Sequence, residues 1–132
     1  MRKFKMLFIA ALATLAFVGC TAAPIYNVES NSVVSNNETN TSLKDVEKAI
    51  IRAGAGLGWV MKKVEDGKIQ GVLTLRKHVA VVVINYNTKA YSIQYQDSTA
   101  LDFNPAENTI HKNYNTWIQN LNKAIQVQLS ML

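Results

Sequence analysis

The sequence predicts an α+β domain: a four-stranded antiparallel meander with one helix before it and one after it, in the order α-β-β-β-β-α. Three observations predict this. Leu43, Val46, Ile50 and Ala53 recur at helical spacing behind a serine suited to a helix start. Between residues 59 and 96, apolar residues alternate or run together in short blocks separated by turn residues. Ile110, Tyr114, Trp117, Leu121 and Ile125 then return to helical spacing, with steps of four, three, four and four.

Each element has a local reason. Ser42-Leu43-Lys44-Asp45 reads as an N-cap followed by an acid at the third helical position, where it opposes the helix dipole. This helix is expected to stop at Gly54. Gly54-Ala55-Gly56-Leu57-Gly58 looks superficially like a phosphate loop. That motif needs a strand before the glycines and a helix after them, and here a helix precedes while Trp59 opens a strand. A helix C-cap and a tight turn account for the glycines. The first strand is predicted over residues 59–64. Asp66-Gly67 closes a hairpin, with the composition of a type I′ turn.

The second strand is predicted over 69–76, with Ile69, Leu73 and Leu75 on one face. Arg76-Lys77-His78 connects it to a third strand over 79–86, although the connection holds neither Gly nor Pro. That third strand is apolar on both faces, which predicts an interior position covered at least partly on both sides. After Asn87-Thr88-Lys89, Tyr91, Ile93 and Tyr95 alternate with Ser92, Gln94 and Gln96, the pattern of a half-exposed strand. A loop containing Pro105 leads to the last helix, near residues 109–131, with Tyr114 and Trp117 on its core face. Helices packed on an antiparallel sheet give two layers, and residues 42–132 suffice for one modest core. No internal repeat is visible.

The first 19 residues have a different composition. Arg2, Lys3 and Lys5 precede an apolar run over residues 6–18, and Gly19-Cys20 follows. This is the layout of a secretory signal peptide. The run is short of the ~20 residues a helix needs to span a bilayer. Cys20 is the only cysteine of the chain, and an unpaired cysteine in an exported protein wants a chemical explanation. Phe17-Val18-Gly19-Cys20 resembles the lipobox of bacterial lipoproteins, with Phe17 where that family usually has Leu. The resemblance implies that the Cys20 thiol receives a diacylglyceryl group, that residues 1–19 are removed, and that Cys20 becomes the acylated amino terminus. Each buried CH₂ holds such an anchor by ~0.8 kcal/mol. In enteric members of that family Asp after the cysteine retains the protein at the inner membrane. Thr21 therefore points to the outer membrane, facing the periplasm, or to the outer face of a single membrane.

Residues 20–41 are rich in Asn, Ser and Thr and show little periodicity. They are expected to form a lipid-anchored flexible tether reaching roughly 25 Å from the membrane. An edge strand through Val33 and Val34 is the alternative. Removing the signal also removes three of the 14 basic side chains, leaving 11 against nine acidic ones, a net charge of +2. That balance, without a basic stripe interleaved with aromatics, argues against a nucleic-acid partner.

Arg76-x-His78, Tyr91-x-Ile93-x-Tyr95-x-x-Ser98 and Ile110-His111-x-x-Tyr114-Asn115-x-Trp117 together resemble a group of small, uncharacterised bacterial lipoproteins. The resemblance implies this α+β fold and a cell-envelope location, and no reaction. Arg76, His78, Tyr95, His111, Tyr114 and Asn115 are the candidate binding residues, because polar and aromatic groups from a strand and a helix can converge on a pocket between them. The competing structural reading has His111 closing the helix end, Tyr114 in the core and Asn115 bonding a loop.

Catalysis has less support. There is no Gly-x-Ser-x-Gly elbow, no His-Glu-x-x-His, and the acids Asp97, Asp102 and Glu107 fall in one loop region. No cofactor and no metal is expected. The expectation is a lipid-anchored envelope domain that binds an envelope protein or a small ligand. The rivals are an envelope hydrolase using His78 or His111 as general base, and a structural spacer.

Overall fold

The computed structural model describes residues 21–36 and 40–132. The elements in chain order are β1 (Ala22–Pro24), β2 (Val28–Ser32), α1 (Leu43–Gly56), β3 (Val60–Glu65), β4 (Lys68–Leu75), β5 (His78–Tyr86), β6 (Ala90–Thr99), β7 (Thr109–His111) and α2 (Lys112–Ser130). The class is α+β. One sheet has five antiparallel strands in the order β2-β6-β5-β4-β3, and β1 pairs with β7 in a separate antiparallel ribbon. The predicted four-stranded sheet is thus corrected to five strands plus a ribbon.

Both corrections draw on the segment expected to be a tether. Residues 21–36 pack along the domain instead of leaving it. The physical reason lies in asparagines that make bonds a strand pattern does not reveal. Val28 is buried and pairs with Ile93. Beside it the β2–β6 register shifts, and the Asn27 side chain accepts from the Tyr95 amide at 3.0 Å. Asn31 donates to Asn122 of α2 and to the Tyr91 hydroxyl, each at 3.1 Å. Asn36 donates its amide to the Leu132 carbonyl at 3.1 Å. Val33 bonds Lys89 just beyond the end of β2, so the edge strand lies at 28–32 and not through Val33 and Val34.

α1 begins as expected. Ser42 and Asp45 form a reciprocal capping box, each side chain bonding the other residue's amide at 3.1 Å. The helix runs two residues past Gly54. That glycine serves close approach, since a Cβ there would collide with the Met61 side chain of β3. The β3–β4 turn is not type I′. Gly67 takes a φ of +83 while Asp66 does not enter the left-handed region, and a register shift between Lys63 and Glu65 accommodates the difference. At this end Lys63 lies 3.0 Å from Glu47 of α1 and 2.7 Å from Asp66. Its hydrogen bond holds the Glu47 carboxyl below the usual carboxylate range.

Both helices cover the same face of the sheet. Tyr86 and Tyr91 are register partners across β5 and β6. The Tyr86 hydroxyl donates to Glu47 of α1 and the Tyr91 hydroxyl to Asn122 of α2. Burial pushes the Tyr91 phenol up to about 12. Ile69, Leu73, Ala80, Val82, Ile84 and Ile93 complete the sheet's contribution to the core beneath the helices. The opposite face carries Val79, Val81 and Val83, only half-buried, with Val60, Val72 and Val81 in one cross-strand row. The interior position of β5 holds, while the expected cover on both sides is replaced by the helices on one side and a half-buried, uncovered face on the other.

Residues 109–111 join the ribbon, so α2 starts at Lys112, later than expected. Its buried stripe is Tyr114, Ile118, Leu121, Ile125 and Leu129. Trp117 sits roughly 80° round the helix from the middle of that stripe and is only partly buried. The core assignment of Trp117 is therefore corrected, with Ile118 in its place. Ile118→Ala is expected to cost about 2–5 kcal/mol in urea unfolding, and Trp117→Ala about 1–2 kcal/mol, from partial area loss. The reverse order of midpoints would return Trp117 to the core.

Candidate functional site

Five of the predicted site residues gather where the β4–β5 turn, the 101–108 loop and the start of α2 meet. Leu75 and His78 are register partners, so Arg76 and Lys77 form a two-residue turn, and Arg76 takes a φ of 56 in place of a glycine. Arg76 is exposed. His78 Nδ1 lies 2.9 Å from the Ala100 carbonyl. A carbonyl only accepts, so that nitrogen carries a proton. The Leu101 carbonyl, one residue on, accepts from the His111 amide at 2.8 Å. His111 N-caps α2, its Nδ1 accepting from the Asn113 amide at 3.2 Å. The two histidines thus flank consecutive carbonyls, and each ring has one nitrogen engaged locally.

The aromatic members fill space. Tyr95 stacks on Phe103 with ring centres 4.4 Å apart and meets Tyr114 edge-on at 5.7 Å. The Tyr95 hydroxyl lies 2.8 Å from Ser98 Oγ. Tyr114 is fully buried, and its hydroxyl has no hydrogen-bond partner among the described residues. Burial raises its phenol well above the ordinary value. Asn115 turns away to clamp the chain entering the domain: its Nδ2 donates to the Pro24 carbonyl at 2.8 Å and its Oδ1 accepts from the Tyr26 amide at 3.0 Å. Asn115 thus belongs with the ribbon and not with a shared pocket. Cys20 lies outside the described residues.

None of these residues lines any of three surface cavities found elsewhere. One, of about 330 Å³, lies between α1 and α2 and is lined by Arg52, Ala53, Leu57, Lys123, Ala124 and Val127, among others. A second, of about 110 Å³, is lined by Leu57, Trp59, Leu73, Leu75, Trp117 and Asn120. Leu57 lines both, so the two cavities adjoin across its side chain as an interrupted trough beside α2. Leu57 and Leu75 are each 43% exposed and Val127 is 57% exposed. Two cations line the trough, with no carboxylate among its lining residues. A third cavity of about 240 Å³ lies at the turn end of the sheet, with a polar lining that includes Glu29, Asn85 and Asn87.

The small residues Ala53, Gly56 and Ala124 open the trough along the α1–α2 seam. The sequence carried a signal for it. Trp117, Ala124, Val127 and Met131 form a second apolar stripe at steps of seven, three and four, beside the core stripe. Merging the two stripes placed Trp117 in the core and left Val127 unexplained.

Among the described residues no three His, Cys, Asp or Glu side chains come together as a metal site. The bonds and ring contacts of the predicted cluster hold the 101–108 loop and the start of α2 in place. Tyr114→Phe is expected to leave stability unchanged or raise it by up to about 2 kcal/mol, because it deletes a buried hydroxyl without a partner. Urea unfolding of the two proteins checks this, and a clear loss would show that the hydroxyl is bonded. No protein-family model matches the chain, and neither a curated protein nor a solved structure matches it.

Proposed function

We propose that the chain is a lipid-anchored cell-envelope lipoprotein, held in the outer membrane and facing the periplasm, whose domain binds a protein partner without catalysing a reaction. The anchor reading is supported by Arg2, Lys3 and Lys5, the apolar run over 6–18 and Gly19-Cys20. Cys20→Ser is expected to abolish lipid labelling and release the chain from the membrane fraction. Retention with a mature amino terminus near residue 20 would contradict it.

The trough between α1, α2 and the Trp59–Leu75 corner carries the binding reading. Exposed Leu57, Leu75 and Val127 with half-buried Trp117 offer apolar contact along a length of α2, and Arg52 and Lys123 add positive charge on one side. Its open, elongated shape suits an amphipathic segment laid in a groove better than an enclosed small ligand. The charge selects an acidic segment. His78, Tyr95, His111 and Tyr114 serve this reading as the support of the loop and helix, Arg76 as an exposed residue of the β4–β5 turn, and Asn115 as the clamp on β1.

The test is photocrosslinking in cells from position 127, followed by binding of the captured segment, as a synthetic peptide, to the purified domain. Reversing both cations (Arg52→Glu with Lys123→Glu) is expected to weaken that peptide by roughly tenfold or more and to reduce its salt dependence. Unchanged affinity in the double variant, with its fold intact by circular dichroism, would overturn the trough as the site.

A further inference from the structure

The distance between the anchor and the folded domain is far shorter than a tether allows. Thr21 alone separates Cys20 from β1, and the Thr21 carbonyl already accepts from the Lys112 amide at 2.8 Å. Two residues of extended chain span at most about 7 Å. The headgroup layer of one leaflet is about 5–8 Å thick, taken as half the difference between the whole bilayer and its hydrocarbon core. A diacylglyceryl group on Cys20, with its glycerol inside that layer, therefore holds the start of α2 within about 7 Å of the anchored residue, at the outer edge of the headgroups.

The strand that enforces this is fixed along its length. Ala22, Ala23 and Pro24 pair with His111, Ile110 and Thr109, and Ile110 is fully buried. The Ile25 amide bonds the Asn108 carbonyl at 3.0 Å, and Asn115 clamps both Pro24 and Tyr26. On its other edge β7 is bordered by the 101–104 segment, through bonds from Thr109 to Asn104 and from His111 to Leu101. That segment carries Phe103, 36% exposed, and Tyr26 beside the ribbon is 37% exposed. The amphipathic Tyr ring is favoured at the headgroup level, and the Phe ring adds apolar contact with the acyl boundary. Exposed Arg76, Lys77 and Lys112 are offset by exposed Asp102 and Glu107 at the same end. The attachment is thus geometric and apolar more than electrostatic.

We infer that the end of the domain formed by the β1–β7 ribbon, the first turn of α2 and the 101–108 loop rests directly on the lipid headgroups. This orientation rests on the lipid-anchor reading of Cys20. It places the trough residues Lys123 to Gln128 about 17–24 Å along α2 from the anchored end, at 1.5 Å per residue. A partner segment would then meet the trough within a fixed layer above the membrane and not at a range of heights.

The experiment uses the acylated full-length mature chain in vesicles of phosphatidylethanolamine and phosphatidylglycerol. Glu107→Cys and Thr88→Cys are each labelled with the same fluorophore, the first on the inferred contact face and the second in the β5–β6 turn at the far end of the sheet. A headgroup-attached nitroxide lipid is expected to quench the label at 107 several-fold more than the label at 88, at both low and high salt. Inserting a twenty-residue Gly-Ser segment between Cys20 and Thr21 is expected to remove the difference. Equal quenching at the two sites in the uninserted chain, with mass spectrometry showing the acyl group on Cys20, would overturn the orientation while leaving the anchor standing. Absence of the acyl group would overturn the anchor and the orientation together.

Discussion

Much of this domain depends on the way residues 21–36 are strapped alongside α2. The bonds fall in order along both segments. The Thr21 carbonyl meets the amide of Lys112, the Tyr26 amide meets Asn115, the Asn31 side chain meets Asn122, and the Asn36 amide meets the carbonyl of Leu132. The strap closes two otherwise open edges, that of β6 through β2 and that of β7 through β1. An unpaired edge leaves a row of exposed amides and carbonyls. Here that row is used to fix α2 against the sheet from one end to the other.

With α2 fixed, the rest of the packing follows. Tyr91 is buried between the strap and α2 and shares Asn122 with Asn31. Tyr86, its register partner, reaches α1 through Glu47, so one pair of tyrosines joins both helices to the turn end of β5 and β6. At the other end of α2, three of the four non-glycine residues with left-handed backbone among the described residues, Ala100, Asp102 and Asn108, lie in the loop region that borders β7, and the fourth, Arg76, is two residues from the histidine bonded to Ala100. Asp and Asn adopt this conformation readily, whereas Ala100 and Arg76 do so at a cost. The contacts of His78, His111, Tyr95 and Phe103 oppose that cost.

How much of this was legible in the sequence depended on how each bond is encoded. Ser42 and Asp45 announce α1 because both halves of a capping box are side chains at a fixed spacing. The strands from Val60 to Thr99 announce themselves by alternation and by Asp66-Gly67. The Arg76-Lys77 turn did not, because nothing local demands a left-handed arginine; strand pairing on either side imposes it. The strap was invisible for a related reason. It has one buried apolar anchor, Val28, with Ile25 and Val33 partly buried, and its other contacts are backbone pairing and bonds from asparagines, whose composition is also that of a flexible linker. The candidate cluster was legible as a neighbourhood, since His78, Tyr95, His111 and Tyr114 do meet around one loop. Its packing was not, because whether such groups line a cavity or fill space depends on contacts that spacing alone does not record. The trough was legible only in hindsight of two stripes on α2, one with Ile118 and one with Trp117.

Amide hydrogen exchange tests the strap most directly. If residues 21–36 are part of the fold, the amides of Ile25, Tyr26, Val33 and Asn36, together with that of Lys112, are protected and open only when a substantial part of the domain unfolds. Their protection would then approach that of β5 amides such as Val82. Exchange of these amides at the rate of an unstructured peptide, beside a protected β5, would contradict the account and return the segment to a tether.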